Sequence, residues 1–184
     1  MINKLNEVLI NHCAPVLMGL KPSAIFTLDC PNCAYHLQQN VSKDFCVEAL
    51  CLTDCKKILT MLYSPALLKK IVLGPKASFI LSSLGYPDKI NSVFVEHLKK
   101  RFAFYDDFPH EIGFLLGYPQ DDVIGFIENG GQNYKHCGLW KVYSDVEEHT
   151  KCCQRYHFSG ICLRKYIECG GDIKRFGDAF KFAV

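Results

Sequence analysis

The sequence lacks the long apolar run of about 18 residues that a membrane-spanning helix needs. We also expect no secretory signal, since Lys4 and Glu7 interrupt the hydrophobic residues near the start of the sequence. There is little excess charge of either sign, and a net charge of +2 does not attract nucleic acid or anionic lipid in bulk. We therefore expect a cytoplasmic protein whose partner is a small molecule or another protein, with no nucleic acid and no membrane.

Several well-marked catalytic signatures are missing as well. The chain has no glycine-rich phosphate loop, no dinucleotide fingerprint and no G-x-S-x-G nucleophile motif. His110-Glu111 is not followed by a second histidine four residues on, so the metalloprotease helix signature is absent too. The function has to be sought in side chains without a standard motif around them.

The chain is rich in cysteine. There are eleven, an odd number that excludes complete pairing within one chain, and a cytoplasmic setting keeps them as thiols. Cys30-Pro31-Asn32-Cys33 is predicted to follow a strand and open a helix, where a redox dithiol gains thiolate character. Two alternatives stay open: a zinc site shared with Cys46, Cys51 or Cys55, or ordinary packed thiols.

The spacing of apolar residues predicts an α+β fold in a single domain spanning residues 1–184. We expect a small sheet of about four strands flanked by helices. Residues 1–73 form the sheet-rich half, residues 74–131 a helical hairpin repeat, and residues 132–184 a strand plus C-terminal helices. The predicted elements of the first half are helices over 2–12, 33–43 and 65–72, and strands over 24–28, 47–52 and 58–63.

The last third is predicted from a different set of signals. Residues 139–143 alternate as in a short strand, which we expect to join the sheet of the first half. Ser144 or Asp145 caps a helix from about Val146, and Ser159-Gly160 is expected to interrupt that helix.

A four-residue corner occurs twice. Leu84-Gly85-Tyr86-Pro87 recurs as Leu116-Gly117-Tyr118-Pro119, an offset of 32 residues (116 minus 84). The same offset carries Phe94-Val95-Glu96-His97 onto Phe126-Ile127-Glu128-Asn129. Glycine after a helix adopts the left-handed conformation that other residues avoid, and proline shortly afterwards favours a new helix. The pattern predicts a duplicated helix–Gly-Tyr-Pro–helix unit.

Four segments resemble an uncharacterised family of anaerobic, mostly clostridial bacteria, domain of unknown function 3793. They are HCAPVLMGLKPSAIF, LCLTDCKKILTMLYS and, most specifically, FPHEIGFLLGYPQDDVIGFIEN followed by CGLWKVYSDVEE. The resemblance runs along most of the chain and implies a cytosolic single-domain bacterial protein. It brings no activity, fold or cofactor with it. The Cys30–Cys33 segment departs from the family pattern, which argues against a family-wide role for that dithiol.

The catalytic candidates are Cys13, His110 and Glu111. Cys13 is predicted at a helix junction, where a thiol before a helix start can become a nucleophile. His110 is its candidate base, and Glu111 is expected to orient that histidine or to act as a first-turn carboxylate. The alternatives are a buried structural thiol at the junction and a His-Glu pair used for capping and packing.

The ligand candidates overlap with this set. Cys13, His110, His136 and Cys137 are the metal candidates, because thiolate and imidazole suit transition metals or haem. Lys21, Trp140 and Tyr143 match the family pattern and are the cofactor-binding candidates, although aromatic residues of this kind also form cores. The Gly138 that follows Cys137 would let another group approach its backbone closely.

The favoured function is a cytosolic thiol-centred enzyme or redox protein with a Cys/His site. A metal- or haem-binding protein that uses the same residues and a non-catalytic interaction domain are the alternatives. The cofactor is unknown: a transition metal, haem or none is consistent with the sequence.

Overall fold

The computed structural model describes residues 3–29, 31–53, 57–104 and 107–180. The chain divides into two compact units, each described here by itself: residues 1–67 with 154–184 form unit 1, and residues 68–153 form unit 2. Helices combine with antiparallel sheets, which confirms the α+β class. The prediction of one domain stays a prediction, since two compact units can belong to one domain.

Unit 1 begins with a helix whose bonding changes midway. Helix α1 (Lys4–Val8) continues into a π-helical turn, Leu9–Cys13, and then into α2 (Ala14–Leu17). Pro15 has no N–H to donate to the carbonyl four residues earlier, so regular α-helical bonding is broken near this point. The predicted single helix over 2–12 is therefore wrong in detail, because it misses the wider π turn.

The sheet of unit 1 has three described strands. Strand β1 (Ser23–Leu28) is followed by α3 (Pro31–Asn40), then by β2 (Cys46–Leu52) and β3 (Ile58–Tyr63), and then by the short helix α4 (Pro65–Leu68). Both β1 and β2 pair antiparallel with β3, so β3 lies in the middle. The β2–β3 pairing confirms the predicted hairpin. Cys30 and Cys55 lie outside the described residues.

Unit 2 is built mainly from helices. They are α5 (Pro75–Ser83), α6 (Ser92–Phe104), α7 (Ile112–Leu115) and α8 (Gln120–Glu128). Strands β4 (His136–Cys137) and β5 (Lys141–Val142) then pair with each other in a separate two-stranded sheet. The prediction that residues 139–143 join the first sheet is wrong. A partner a few residues away costs less loop-closure entropy than a distant sheet edge.

A long helix, α9 (Val146–Glu168), crosses from unit 2 into unit 1, and α10 (Phe176–Phe180) follows a 3₁₀ turn. Asp145 caps α9 by accepting from the N–H groups of Glu147 and Glu148, as predicted. The predicted interruption at Ser159-Gly160 is wrong, since α9 is continuous there. A Cβ on Gly160 would lie 3.1 Å from the Ile10 carbonyl, so the glycine serves close packing. No helix in the described ranges is both long and apolar enough to cross a membrane.

The core of unit 1 combines both ends of the chain. It includes side chains from the π-helical turn, α2, β1, α3, β3, α9 and α10: Leu9, Ile10, Cys13, Val16, Phe26, Leu37, Leu62, Leu163 and Phe176. Arg164 on α9 also donates two hydrogen bonds to the Glu7 carboxylate on α1, at 3.0 and 2.8 Å. The N-terminal helix is thus held to the C-terminal helix by packing and by an ion pair.

The two Gly-Tyr-Pro corners have the same backbone hydrogen bonds. Gly85 and Gly117 have φ of +80° and +75°. The N–H of each following tyrosine donates to the carbonyl five residues back, Leu81 for Tyr86 and Gly113 for Tyr118. This is the Schellman ending that a left-handed glycine permits. The corners differ afterwards, because α8 starts directly after Pro119 whereas α6 starts only at Ser92.

We expect Gly117→Ala to lower the free energy of unfolding by more than about 1 kcal/mol, because alanine is strained at positive φ. Urea denaturation followed by circular dichroism measures this. Gly74→Ala is the matched control: Gly74 has φ of −70° and only an ordinary contact at the position of an added Cβ. Equal losses in the two variants would refute the conformational argument.

Candidate functional site

The buried carboxylate of Asp122 is the centre of a cluster in unit 2. Its Oδ2 accepts from Trp140 Nε1 at 2.7 Å, and its Oδ1 accepts from the backbone N–H groups of Tyr143 and Ser144, each at 2.7 Å. Burial alone would raise the pKa of Asp122, but these hydrogen bonds outweigh burial and lower it. A charged carboxylate therefore fixes the segment from Trp140 to Ser144 on the first turn of α8.

The indole of Trp140 positions the aromatic side chains around it. Tyr118 stacks on it with ring centroids 4.6 Å apart, and His149 meets it edge-on at 4.4 Å. His136 in turn lies edge-on to His149 at 5.3 Å. We call Tyr118, Asp122, His136, Trp140, His149 and Cys153 the Trp140 cluster.

His149 and Cys153 form a thiol–imidazole pair on α9. Four residues apart, they share one face of the helix, and Cys153 Sγ lies 3.4 Å from His149 Nε2 and 3.9 Å from Nδ1. His149 is only 4% exposed, while Cys153 is half-buried. Catalytic hydrogen bonds are often long before a substrate binds, so this spacing is compatible with proton transfer.

Both members of the pair are neutral in the resting state. Burial lowers the pKa of His149, the neighbouring His136 lowers it further, and Asp122 opposes the shift. Burial raises the pKa of Cys153, against a hydrogen bond from the Leu139 backbone. The result at neutral pH is a protonated thiol beside a neutral imidazole, in which one ring nitrogen carries a proton and the other can accept one.

Gly138 makes room for this pair. A Cβ at position 138 would lie 2.3 Å from His149 Cε1 and 2.8 Å from its Nε2, which no real side chain tolerates. The predicted close approach at Gly138 is thereby borne out, and the approaching group is an imidazole. His136 and Cys137, directly before it on β4, are exposed.

Glu111 has a different environment from the one expected for a catalytic carboxylate. It is buried, and its Oε1 accepts from Tyr86 OH and from Arg101 Nε, both at 3.0 Å. Burial, together with the Glu111 charge, raises the pKa of Tyr86, so the phenol stays a donor. The three side chains link the first corner and α6 to the start of α7.

The remaining sequence candidates are dispersed. His110 is exposed and packs its ring against Phe126, with centroids 4.6 Å apart. Cys13 lies fully buried in unit 1, where burial raises its pKa against the opposing charge of Lys21. Lys21 also lies over the ring of Tyr156. Because Cys13 and His110 belong to different units, their convergence stays a prediction.

The structure brings together some of the predicted residues and adds others. Trp140 and His136 belong to the Trp140 cluster, Cys137 adjoins it, and Tyr143 is bound to Asp122 through its backbone. Among the described residues no group of three or more His, Cys, Asp or Glu side chains is arranged to hold a metal ion. Sequence reasoning missed Asp122, His149 and Cys153. The one signal it had was the four-residue spacing from His149 to Cys153.

Comparison with known proteins identifies the family. The family model described as a protein of unknown function, DUF3793, matches residues 9–176 of the sequence. The chain belongs to that family. No curated protein and no solved structure matches the chain. The site must therefore be interpreted from its own geometry.

Glu111→Ala should lower the free energy of unfolding by about 3 kcal/mol, because it leaves the partly buried Arg101 without this carboxylate. Chemical denaturation provides the measurement. Glu96→Ala is the control, since Glu96 pairs with Lys99 at the surface and should cost under about 1 kcal/mol. If the two variants lose the same stability, the Glu111 network does not hold this part of the fold together.

Stability should fall as the pH drops from 7 towards 5. Unfolded His149 takes up a proton near its ordinary pKa of 6.5, whereas the folded protein resists protonation, so acid favours the unfolded state. The contribution of one such group is at most about 1.4 kcal/mol per pH unit. His149→Gln should flatten the pH dependence measured by urea unfolding. His157→Gln, which removes an exposed imidazole, serves as the control and should retain the wild-type slope.

Proposed function

We propose that the chain is a thiol-dependent enzyme in which Cys153 is the nucleophile and His149 the general base. The observation that carries this proposal is the 3.4 Å separation between Cys153 Sγ and the Nε2 of a buried imidazole. Neither Cys13 nor His110 has such a partner among its described contacts in its own unit. The proposal keeps the predicted class of activity and changes the residues that perform it.

The chemistry follows from the neutral resting state. As Cys153 Sγ attacks an electrophilic carbonyl carbon or disulfide sulfur, the thiol proton passes to His149 Nε2 and a new bond to sulfur forms. The imidazolium then returns that proton to the leaving group as its bond breaks. The Leu139 N–H, which bonds to Cys153, stabilises negative charge on the sulfur during the attack.

The surroundings support these roles. Trp140 meets the imidazole edge-on, and burial of the imidazole holds its pKa down and keeps it a base. Asp122 fixes Trp140 and favours the imidazolium that forms during the reaction, since its charge raises the pKa of His149. The Cys153 side chain is only half-buried, and His136 and Cys137 on strand β4 are exposed, as access by a substrate requires.

Peptide-resolved labelling with iodoacetamide at pH 7 tests the assignment. His149→Gln should slow labelling of Cys153 about tenfold or more, because the base that accepts its proton is gone. Labelling of the exposed Cys169 should not change. His157→Gln is the matched control: it removes an exposed imidazole of the same helix, and Cys153 should react at close to the wild-type rate.

Cys13 monitors folding in the same experiment. It is fully buried, so it should label slowly in every folded variant and rapidly in an unfolded one. The proposal fails if Cys153 reacts more slowly than Cys169 in the wild type and is indifferent to His149→Gln. Fast labelling of Cys13 in the native protein would instead favour Cys13 as the nucleophile.

A further inference from the structure

A cavity of about 410 Å³ opens within unit 2, and none of its described lining residues belongs to the Trp140 cluster. It lies between the segment that precedes α5, Ser78 on α5 and the segment that precedes α6. This volume falls within the range of small-molecule sites, about 300–1,000 Å³. Its apolar wall is formed by Ile71, Leu73 and the buried Ile90.

The part of the wall that carries Leu73 is held in place by a single side chain of α8. Gln120 donates from Nε2 to the Val72 carbonyl at 2.7 Å, and its Oε1 accepts from the Gly74 N–H at 2.8 Å. Because both bonds come from one carboxamide, the backbone on either side of Leu73 is fixed. A wall that is fixed before a ligand arrives lowers the entropy that binding costs.

Charged side chains of both signs line the same cavity. They are Lys69, Asp88 and Lys89, and all three are exposed. Within the described part of the chain none of them forms an ion pair, so Asp88 pairs with neither lysine. Lys76 on α5, which does not line the cavity, is by contrast paired with Glu128 at 2.6 Å. The cavity therefore offers two ammonium groups and one carboxylate to a ligand.

Two neutral side chains add hydrogen-bonding groups to the cavity. Asn91 is fixed at the start of α6, where its Oδ1 accepts from the N–H groups of Val93 and Phe94 at 2.9 and 3.3 Å. This leaves its Nδ2 as a donor, and the Ser78 hydroxyl can donate or accept. The cavity thus combines cations, an anion, neutral donors and an aliphatic wall.

The mixture of signs indicates which class of ligand fits. An aliphatic carboxylate would be attracted by the lysines but repelled by Asp88, and an alkylamine would be attracted by Asp88 but repelled by the lysines. A zwitterion satisfies charges of both signs. An aliphatic side chain on that zwitterion would remove apolar surface from water against Ile71, Leu73 and Ile90.

We infer that this cavity binds a free aliphatic α-amino acid. The carboxylate of the ligand would interact with Lys69 and Lys89 and with the donors of Ser78 and Asn91, and its ammonium group with Asp88. The site is separate from the proposed thiol chemistry and adds a ligand-binding function to it.

Titration with leucine, followed by calorimetry and by amide chemical shifts, tests the inference. Leucine should bind and shift the amides of residues 69–73 and 88–92. The compound 4-methylpentanoate, which is leucine without its amino group, should bind more weakly. The compound 3-methylbutylamine, which is leucine without its carboxylate, should bind most weakly. Failure of leucine to bind at millimolar concentration would overturn the inference, as would equal binding of all three compounds.

Two substitutions should separate the charges of the ligand. Asp88→Asn should weaken leucine binding about two- to fivefold without weakening that of 4-methylpentanoate, whereas Lys89→Gln should weaken both by a similar factor. Lys70→Gln is the matched control, because it removes an exposed lysine that does not line the cavity, and it should leave both affinities unchanged. If Asp88→Asn weakens both ligands equally, or Lys89→Gln weakens neither, the assignment of the site is wrong.

Discussion

The buried carboxylate of Asp122 is the interaction on which the candidate site depends. A buried charge is tolerated only when hydrogen bonds replace its lost hydration, and Asp122 receives them from one indole and two backbone N–H groups. The same bonds fix the position of Trp140 against α8. Because Trp140 contacts His149, the geometry of the thiol–imidazole pair is set by a carboxylate that does not touch the sulfur.

Burial has opposite chemical consequences for the groups of this cluster. Asp122 stays charged because three donors face it, whereas burial and a second imidazole keep His149 neutral. A neutral imidazole beside a protonated thiol differs from a preformed thiolate–imidazolium pair. In the proposed function, this imidazole accepts the thiol proton only when the sulfur attacks a substrate. Cys13 is also a protonated thiol, but its complete burial closes it to substrates. Partial exposure next to a base is what distinguishes Cys153.

Local signals in the sequence predicted local structure well. Gly85 and Gly117 have the left-handed conformation, and Asp145 caps α9, because each depends on a few neighbouring residues. The pairing of β5 and the continuity of α9 through Gly160 depend on distant partners, so periodicity alone could not decide them. The family resemblance was correct but implied no fold. The sequence also drew attention to Trp140 and His136 but not to Cys153, because nothing local shows which loop will cover a helix.

Gly138 shows how the missed pair is connected with the predicted segment. Glycine after Cys137 indicated a close backbone approach, but the partner was unknown until α9 was in place. The imidazole of His149 occupies the space that any Cβ at position 138 would need. It is therefore the absence of a side chain in the β4–β5 turn that allows His149 to lie beneath it, between Trp140 and Cys153. The glycine, the indole and the buried carboxylate thus act as one structural unit, and the half-buried Cys153 is the partly exposed thiol beside it.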